Sequence, residues 1–355
     1  ALFRSVEPGD TRDRLFGLAF DVGTTGVRGE LLDLNSGKVL ARGVEYNGQR
    51  IYGDDVISRI AYSAKPDGMA RLQQAVVATL NAIIASLLRE ARIPAEWLSH
   101  MTLAANTTMT QLLLGIDPRF LRLSPYVPSA AVLPAFPARA LGIDVPDHVY
   151  AYALPSVASY VGGDIVSGLV GTGIYQRQET VLYIDIGTNG EIVVGNADWM
   201  VCAACSAGPA FEGGGIRCGM LATDGAVEGF AYDPVSGPAL TTIGGAKPRG
   251  ICGAGLISIV SGLLAAGVIN QKGKFQEASD RRIRSAHGGL EYLLAPVGDT
   301  ETGEDIVVTD ADIDNLIRAK AAMYAGYRTL LQSVGLTFQE LDKVVIASAP
   351  MAPLK

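Results

Sequence analysis

The sequence predicts an α/β protein of two lobes, in which the second lobe repeats the plan of the first. Two near-copies of one pattern indicate this, FDVGTTGVRGELLDL at residues 20–34 and IDIGTNGEIVVGN at 184–196. The order hairpin, helix, strand, helix recurs in both halves as a weak internal duplication. We therefore predict a linker remnant at 1–15, a first lobe at 16–180 and a second lobe at 181–355, with a truncated C-terminus.

In the first lobe, residues 17–22 and 30–34 predict a β-hairpin around a glycine turn. Residues 69–92 have apolar side chains at helical spacing and predict a long amphipathic helix. A buried strand is predicted at 101–105, followed by a helix that begins near Asn106 or Thr107. Six prolines between residues 124 and 155 predict short, interrupted structure, and residues 159–173 predict a glycine loop that opens a helix.

The second lobe is predicted to begin with a strand at 181–186. A glycine loop follows at 206–216, and residues 250–269 predict a loop that leads into an apolar helix. Thr309 and Asp312 form a capping signature before the helical pattern of 309–335. A last strand is predicted at 343–348.

Charge and composition argue against several classes of partner. The formal net charge of −7 gives no overall positive field for nucleic acid. The most apolar stretch, residues 256–269, is shorter than the roughly 20 residues that a membrane span needs. No signal peptide is visible at the N-terminus, so we predict a cytoplasmic protein. Cys202 and Cys205 form a single CxxC pair, which we interpret as ordinary buried thiols in a reducing compartment.

The paired Asp-x-Gly-Thr turns carry the chemistry that the sequence suggests. Glycine permits the close backbone approach that a Cβ would block, and the following amides and polar side chains can face a phosphate. An aspartate at the end of the preceding strand can hold Mg²⁺ or orient a water. One such motif also suits an ordinary hairpin turn, whereas two copies are more specific. The predicted phosphate-binding residues are Gly23, Thr24, Thr25, Gly187, Thr188 and Asn189, and the predicted catalytic and metal-binding residues are Asp21 and Asp185.

Further candidates lie in the glycine loops and beside the turns. Asp164 follows two glycines and is predicted to bind the metal or the attacking water, with a helix cap as the alternative. Glu191 either approaches the site or alternates away from it along its strand. Asn106 and Thr107 fit either capping or the site. Additional cofactor-binding residues are predicted at Gly208, Glu212, Gly213 and Gly253.

The two turns resemble the phosphate motifs of the superfamily that includes actin, Hsp70 and the sugar kinases. Within it, the chain from about residue 17 to 347 resembles the reductive activators of corrinoid proteins, through YGDDVISRI (52–60), NTTMTQLLLGIDP (106–118), VASYVGGDIVSGLVGTG (157–173), SAGPAFEGGGI (206–216) and GICGAGLI (250–257). This resemblance implies a two-lobed actin-like ATPase fold, a duplicated RNase H-like fold with a nucleotide cleft between the lobes. It also implies ATP and Mg²⁺ as cofactors, and reduction of Co(II) to Co(I) on a corrinoid protein. The partners implied are that corrinoid protein and an electron donor, and we expect a homodimer.

The chain departs from this family pattern in two places. The family begins with a ferredoxin-like domain that holds a [2Fe-2S] cluster, and this chain has no counterpart of it. After the last strand the superfamily has a Gly-Gly adenosine loop, whereas this chain reads Ser348, Ala349, Pro350 and Met351. Either the chain ends early or the adenine side of the pocket is incomplete, and both predict low nucleotide affinity.

Three other functions stay open at this point. The first is a small-molecule kinase on the same fold, which would need a carboxylate base and a polar substrate pocket. The second is an ATP-dependent electron activator of an acyl-CoA dehydratase, for which Cys202 and Cys205 are the only candidate ligands. The third is a module that binds a nucleotide or metal without catalysis.

Overall fold

A computed structural model describes residues 10–276, 280–286 and 288–347 of the chain. The chain divides into two compact units, Ala1–Arg177 and Gln178–Lys355. Part of the predicted linker, residues 1–9, and the segment at 348–351 that replaces the Gly-Gly loop lie outside the described residues.

The first unit is built around a six-stranded mixed sheet. Its strands are β1 (Phe16–Val22), β2 (Gly26–Asp33), β3 (Lys38–Tyr46), β4 (Leu98–Ala105), β5 (Phe136–Pro137) and β6 (Tyr150–Ala153). Its helices are α1 (Val56–Ser63), α2 (Gly68–Ala91), α3 (Thr107–Leu114) and α4 (Gly163–Thr172). The strand order is β3-β2-β1-β4-β6-β5, with β4 parallel to both β1 and β6 and the other neighbours antiparallel.

Helix α2 supplies much of the first core because its apolar residues recur every three or four positions and face β2 and β3. Leu72, Leu80 and Leu87 on this face are fully buried. Glycine in the sheet permits the contact, since a Cβ on Gly29 would lie 2.7 Å from Cγ2 of Ile83. Among the described residues α2 is also the one helix long and apolar enough to cross a membrane, but its apolar side packs on this sheet.

The second unit contains a four-stranded sheet and two three-stranded sheets. Its strands are β7 (Val181–Ile186), β8 (Asn189–Gly195), β9 (Met200–Ser206), β10 (Ala226–Ala231), β11 (Ala239–Thr242), β12 (Gly250–Ile251), β13 (Ile283–Ala286), β14 (Gly289–Ala295), β15 (Ile306–Thr309) and β16 (Lys343–Ala347). Its helices are α5 (Gly253–Ala265) and α6 (Asp310–Ser333). The sheet orders are β16-β7-β8-β9, β11-β10-β12 and β13-β14-β15.

The four-stranded sheet repeats four strands of the first unit. In both, a hairpin and a third antiparallel strand are followed by a long helix and then by a strand parallel to the first, giving the orders β4-β1-β2-β3 and β16-β7-β8-β9. The long helix packs on the second and third strands each time, α2 on β2 and β3 and α6 on β8 and β9. The predicted two-lobed α/β fold with an internal duplication is confirmed.

The predicted elements match the observed ones closely. The helix predicted at 69–92 spans Gly68–Ala91, and the one at 309–335 spans Asp310–Ser333 behind a capping box of Thr309 and Asp312. The proline-rich stretch forms only short elements, namely the two residues of β5, a 3-10 helix at Ala138–Leu141 and the four residues of β6. Local sequence signals were sufficient here because caps and prolines act within a few residues.

Candidate functional site

The two Asp-x-Gly-Thr turns occupy equivalent positions in their sheets. Asp21 is the last residue but one of β1, and Asp185 is the last but one of β7. In the parallel ladder, Asp21 lies beside Ala104 of β4 and Asp185 beside Ala347 of β16. Each unit therefore presents a partly exposed carboxylate at the carboxyl end of an inner strand, beside a side chain no larger than a methyl group. Ligands of α/β proteins bind at such strand ends.

The residues opposite the two aspartates differ in charge. Asp21 lies opposite Arg28 of β2, whereas Asp185 lies opposite Glu191 of β8. Directly opposite residues of antiparallel strands project from the same face. Glu191, which is only 6% exposed, therefore shares a face with Asp185. The first turn has a cation beside its aspartate, and the second has another carboxylate.

The cause of this difference is the length of the turn. Four residues connect the pair Val22 and Val27, whereas three connect the pair Ile186 and Gly190. Because side chains alternate along a strand, one residue more or less changes which residue lies opposite a given position. Sequence alone does not show which face of the sheet Glu191 points to, because it does not give the pairing register of β7 and β8.

The chemistry of Asp185 and Glu191 suits Mg²⁺, which prefers carboxylate oxygens and is often held by one or two protein carboxylates plus phosphate and water. Within the part of the chain that the structure describes, no group of three or more His, Cys, Asp or Glu is arranged to hold a metal ion. A magnesium ion here would depend on the nucleotide for further ligands. The assignment of Asp21, Asp185 and Asp164 to a metal stays a prediction.

The first turn is held by a buried network. Thr24 and Thr25 are only 3% and 4% exposed although both are polar. Asn106 Nδ2 donates a hydrogen bond to Oγ1 of Thr24 over 3.1 Å, and Asn106 Oδ1 accepts one from the Met109 amide over 2.9 Å. Asn106 therefore caps α3 and also contacts the first turn, while its place in a ligand site stays a prediction. A Cβ on Gly23 would lie 2.6 Å from the Gly26 carbonyl oxygen, so this turn requires glycine.

Helix α4 begins against the same region of the first unit. A Cβ on Gly162 would lie 2.4 Å from the Ala105 carbonyl oxygen and 2.5 Å from Cα of Asn106. Gly162 therefore brings the start of α4 to the end of β4, beside Asn106, the residue that contacts Thr24. The first unit thus gathers the hairpin turn, the cap of α3 and the start of α4 in one place.

Asp164 is the second residue of α4 and has a perturbed carboxyl group. Its Oδ1 accepts a hydrogen bond from the Ile165 amide over 2.8 Å. Loss of solvent raises the pKa of Asp164 to about 6, and the backbone donors oppose this shift without cancelling it. Such a group changes charge just below neutral pH. Its predicted role toward metal or water stays a prediction.

We expect Asp164→Asn to stabilise the first unit at pH 8 and to have no such effect at pH 3.5. The raised pKa means that the folded state disfavours the carboxylate, so stability present below the ordinary pKa is lost as pH rises through about 6. Removing the charge should recover about 3 kcal/mol at pH 8. Urea unfolding can be followed by Trp97 fluorescence in a Trp199→Phe background, so that the first unit alone is reported. An equal gain at both pH values, or a loss at pH 8, would contradict the expectation.

The second turn is attached to the glycine loop of residues 206–216. Thr188 Oγ1 donates a hydrogen bond to a carboxylate oxygen of Glu212, and both residues are 8% exposed. The Gly208 amide donates to the Thr188 carbonyl oxygen over 2.9 Å. Glu212 and Gly208, predicted from sequence as cofactor-binding residues, therefore lie beside the second turn. In contrast to Gly23, Gly187 has room for a side chain, since a Cβ there would meet only the Asn189 carbonyl oxygen, at 3.4 Å.

Gly213 and Gly253 pack backbone against backbone. Gly213 has a φ of +80°, and a Cβ on it would lie 2.5 Å from the Met220 amide nitrogen. A Cβ on Gly253, the first residue of α5, would lie 2.2 Å from the Phe211 carbonyl oxygen. These backbone contacts require glycine at both positions whether or not a ligand binds there. Their predicted role in cofactor binding stays a prediction.

Cys202 and Cys205 do not converge on one site. Both lie on β9, and residues three apart on a strand point to opposite faces. Cys205 Sγ donates to the Gly190 carbonyl oxygen over 3.2 Å. Burial raises the pKa of both thiols, which favours the uncharged form rather than a metal-binding thiolate. This arrangement is the one expected of structural thiols.

Comparison with protein families accounts for nearly all of the chain. Residues 16–177 match the family model of the RACo middle region, and residues 179–350 match that of the C-terminal domain of RACo, the ASKHA domain. The chain belongs to the RACo family. The predicted resemblance to reductive activators of corrinoid proteins is confirmed.

Named relatives agree with the RACo assignment. The chain is 32% identical over 353 residues to the corrinoid activation enzyme RamQ of Eubacterium limosum, covering 94% of this chain and 58% of that protein. It is 24% identical to the [Co(II) methylated amine-specific corrinoid protein] reductase of Methanosarcina barkeri, covering 94% of this chain and 63% of that protein. A solved reductive activator for corrinoid, iron-sulfur protein has a TM-score of 0.91 and 48% identity, over 95% of this chain and 54% of that one. This RACo-family chain thus spans between half and two thirds of the relatives it matches.

Proposed function

We propose that this chain supplies the ATPase part of a reductive activator of a corrinoid protein. In this reaction one electron passes from a donor to Co(II) of the corrinoid, which becomes Co(I), and hydrolysis of ATP to ADP and phosphate drives the transfer. One observation carries the proposal. Two Asp-x-Gly-Thr turns lie at equivalent strand ends, in a chain whose relatives are named for corrinoid activation.

Each turn is proposed to bind phosphate groups of ATP. Gly23, Thr24 and Thr25 of the first turn and Gly187, Thr188 and Asn189 of the second would supply amides and polar side chains to the phosphate oxygens. Glu212 and the glycines at 208, 213 and 253 would bind elsewhere on the nucleotide. Asp21 and Asp185 would orient the attacking water and hold Mg²⁺, with Asp164 as a further candidate. Bound Mg²⁺ would neutralise charge that develops on the phosphates.

The remaining parts of the reaction are assigned to partners. The proposed partners are a corrinoid protein and an electron donor, and the proposed assembly is a homodimer in the cytoplasm. No [2Fe-2S] ligands are assigned to this chain, since its one close cysteine pair points to opposite faces of β9. The RACo membership favours this proposal over a small-molecule kinase or an activator of acyl-CoA dehydratases.

An anaerobic cobalt assay tests the proposal. The chain is mixed with a corrinoid protein in the Co(II) state, titanium(III) citrate as electron donor and Mg-ATP, and the cobalt state is followed by its visible spectrum. We expect Co(I) to form with ATP and not with a non-hydrolysable ATP analogue. ATP hydrolysis that forms no Co(I) and is not stimulated by the corrinoid protein would overturn the proposal, as would ADP release that depends on an added small-molecule acceptor.

A further inference from the structure

A fully buried arginine lies beneath the first turn. Arg59 of α1 has no exposed surface, although an arginine is seldom enclosed in this way. Its Nη2 donates a hydrogen bond of 2.6 Å to the Thr24 carbonyl oxygen, and its Nε donates one of 2.9 Å to the Gly53 carbonyl oxygen. Its Nη1 lies 3.1 Å from Oε1 of Gln49 and 3.2 Å from Sδ of Met109. A permanently charged guanidinium is therefore fixed directly against the predicted phosphate-binding turn.

Asn47 joins Arg59 on the same side of the turn. Its side-chain Nδ2 donates to the Gly23 carbonyl oxygen over 2.8 Å, and its backbone N–H donates to the Thr25 carbonyl oxygen over 2.9 Å. Like Arg59, Asn47 contacts Sδ of Met109, and it is only 1% exposed. Three successive carbonyl groups of the turn therefore receive hydrogen bonds from one buried polar cluster, which consists of Asn47, Gln49, Arg59 and Met109.

This arrangement fixes the direction of the turn's amides. A trans peptide unit is planar, and its C=O and N–H point in opposite directions. Because the Gly23 and Thr24 carbonyl groups point toward the buried cluster, the N–H groups of Thr24 and Thr25 point to the other side of the turn. Two successive amides directed to one side are the arrangement that binds anions. The guanidinium thus holds the peptide that would present the Thr25 amide to a phosphate.

We propose that Arg59 is a positioning residue for the nucleotide phosphates, which acts through the carbonyl group of Thr24. This inference rests on the proposed function, because it takes the ligand of the turn to be the phosphate chain of ATP. Arg59 acts through its hydrogen bond, which orients the Thr24–Thr25 peptide. Arg59 lies on α1, and its partners lie in the first turn, in the segment after β3 and on α3. These segments are separate in sequence, so the chain must fold before the turn acquires this form.

Binding of ATP, ADP and AMP to Arg59→Met tests the proposal. Methionine keeps an unbranched apolar side chain in the space but removes the charge and the donors. We expect ATP affinity to fall by about 10- to 100-fold, because the turn's hydrogen bonds to the charged phosphate are weakened. The difference in affinity between ATP and AMP should shrink, because only phosphate contacts depend on the turn. Arg59→Lys, which keeps the charge without the planar fork, should recover part of the lost ATP affinity.

Leu87→Ala is the matched control for lost stability. Leu87 is fully buried on α2, and its truncation should lower the midpoint of unfolding without touching the turn. If Arg59→Met binds ATP as tightly as the original chain does, the inference is wrong. It is also wrong if Arg59→Met and Leu87→Ala lose affinity for ATP to the same extent, and for AMP likewise. If the original chain itself binds no nucleotide, the proposed function has failed, and the inference falls with it for a different, recognisable reason.

Discussion

We expect Asp185→Ala to abolish ATP hydrolysis while the second unit stays folded. The carboxylate lies at the end of an inner strand beside Ala347 and on the same face as Glu191, where a nucleotide-bound cation would be neutralised. Removal of a group that positions water or metal commonly lowers turnover by about 100- to 10,000-fold. Phosphate release under saturating Mg-ATP measures the effect. Asp185→Asn should lose hydrolysis in the same way, because it removes the charge without changing the size of the side chain.

Asp198→Ala is the control for this experiment. Asp198 is an exposed aspartate of the same unit, in the loop after β8, and its removal should leave turnover unchanged. Hydrolysis by Asp185→Ala within twofold of the original rate would remove Asp185 from the mechanism. A loss of cooperative unfolding in the variant would instead indicate a structural role.

The second large effect is expected for Gly187→Ala. A Cβ at this position meets only the Asn189 carbonyl oxygen at an ordinary contact distance, so the free energy of unfolding should change by less than about 1 kcal/mol. If the phosphate chain approaches the backbone at Gly187, the same methyl group occupies space that the ligand needs. We therefore expect ATP affinity to fall by roughly 100-fold, since a hydrogen bond to a charged group contributes about 1.5–3 kcal/mol.

Gly23→Ala provides the contrast. There the Cβ would lie 2.6 Å from the Gly26 carbonyl oxygen, so the turn itself must shift and both stability and binding should suffer. Thermal unfolding and calorimetric titration with Mg-ATP measure the two quantities on each variant. Unchanged ATP affinity in a stable Gly187→Ala variant would show that no phosphate passes close to this glycine.

The contrast between Asp21 and Asp185 bears on how the two turns divide their work. Asp21 has a guanidinium opposite it in the hairpin, which reduces the local negative charge, whereas Asp185 has a second carboxylate. The Arg28 guanidinium offsets the charge of Asp21, whereas two neighbouring carboxylates favour a bound cation. On this basis the second turn is the better candidate for Mg²⁺, and the first for binding phosphate above Arg59.

Much of the fold follows from local sequence. The apolar spacing of α2, the Thr309 and Asp312 cap of α6 and the glycine turns of both hairpins each act over a few residues, so a single sequence suffices to find them. The repeated Asp-x-Gly-Thr pattern likewise indicated the duplication. Strands of two to four residues, as in most of the two small sheets, carry too few residues for a reliable pattern.

The sequence by itself determined the class of the fold, its duplication and the residues of the two turns, because these depend on short-range spacing. Only the tertiary structure decided that Glu191 faces Asp185, that Asn106 contacts Thr24 and that Arg59 lies beneath the first turn. The first depends on a one-residue difference in turn length. Asn106 is 82 positions from Thr24 in the sequence, and Arg59 is 35 positions from it. Such contacts form when separate segments pack together, and no local pattern of residues encodes them.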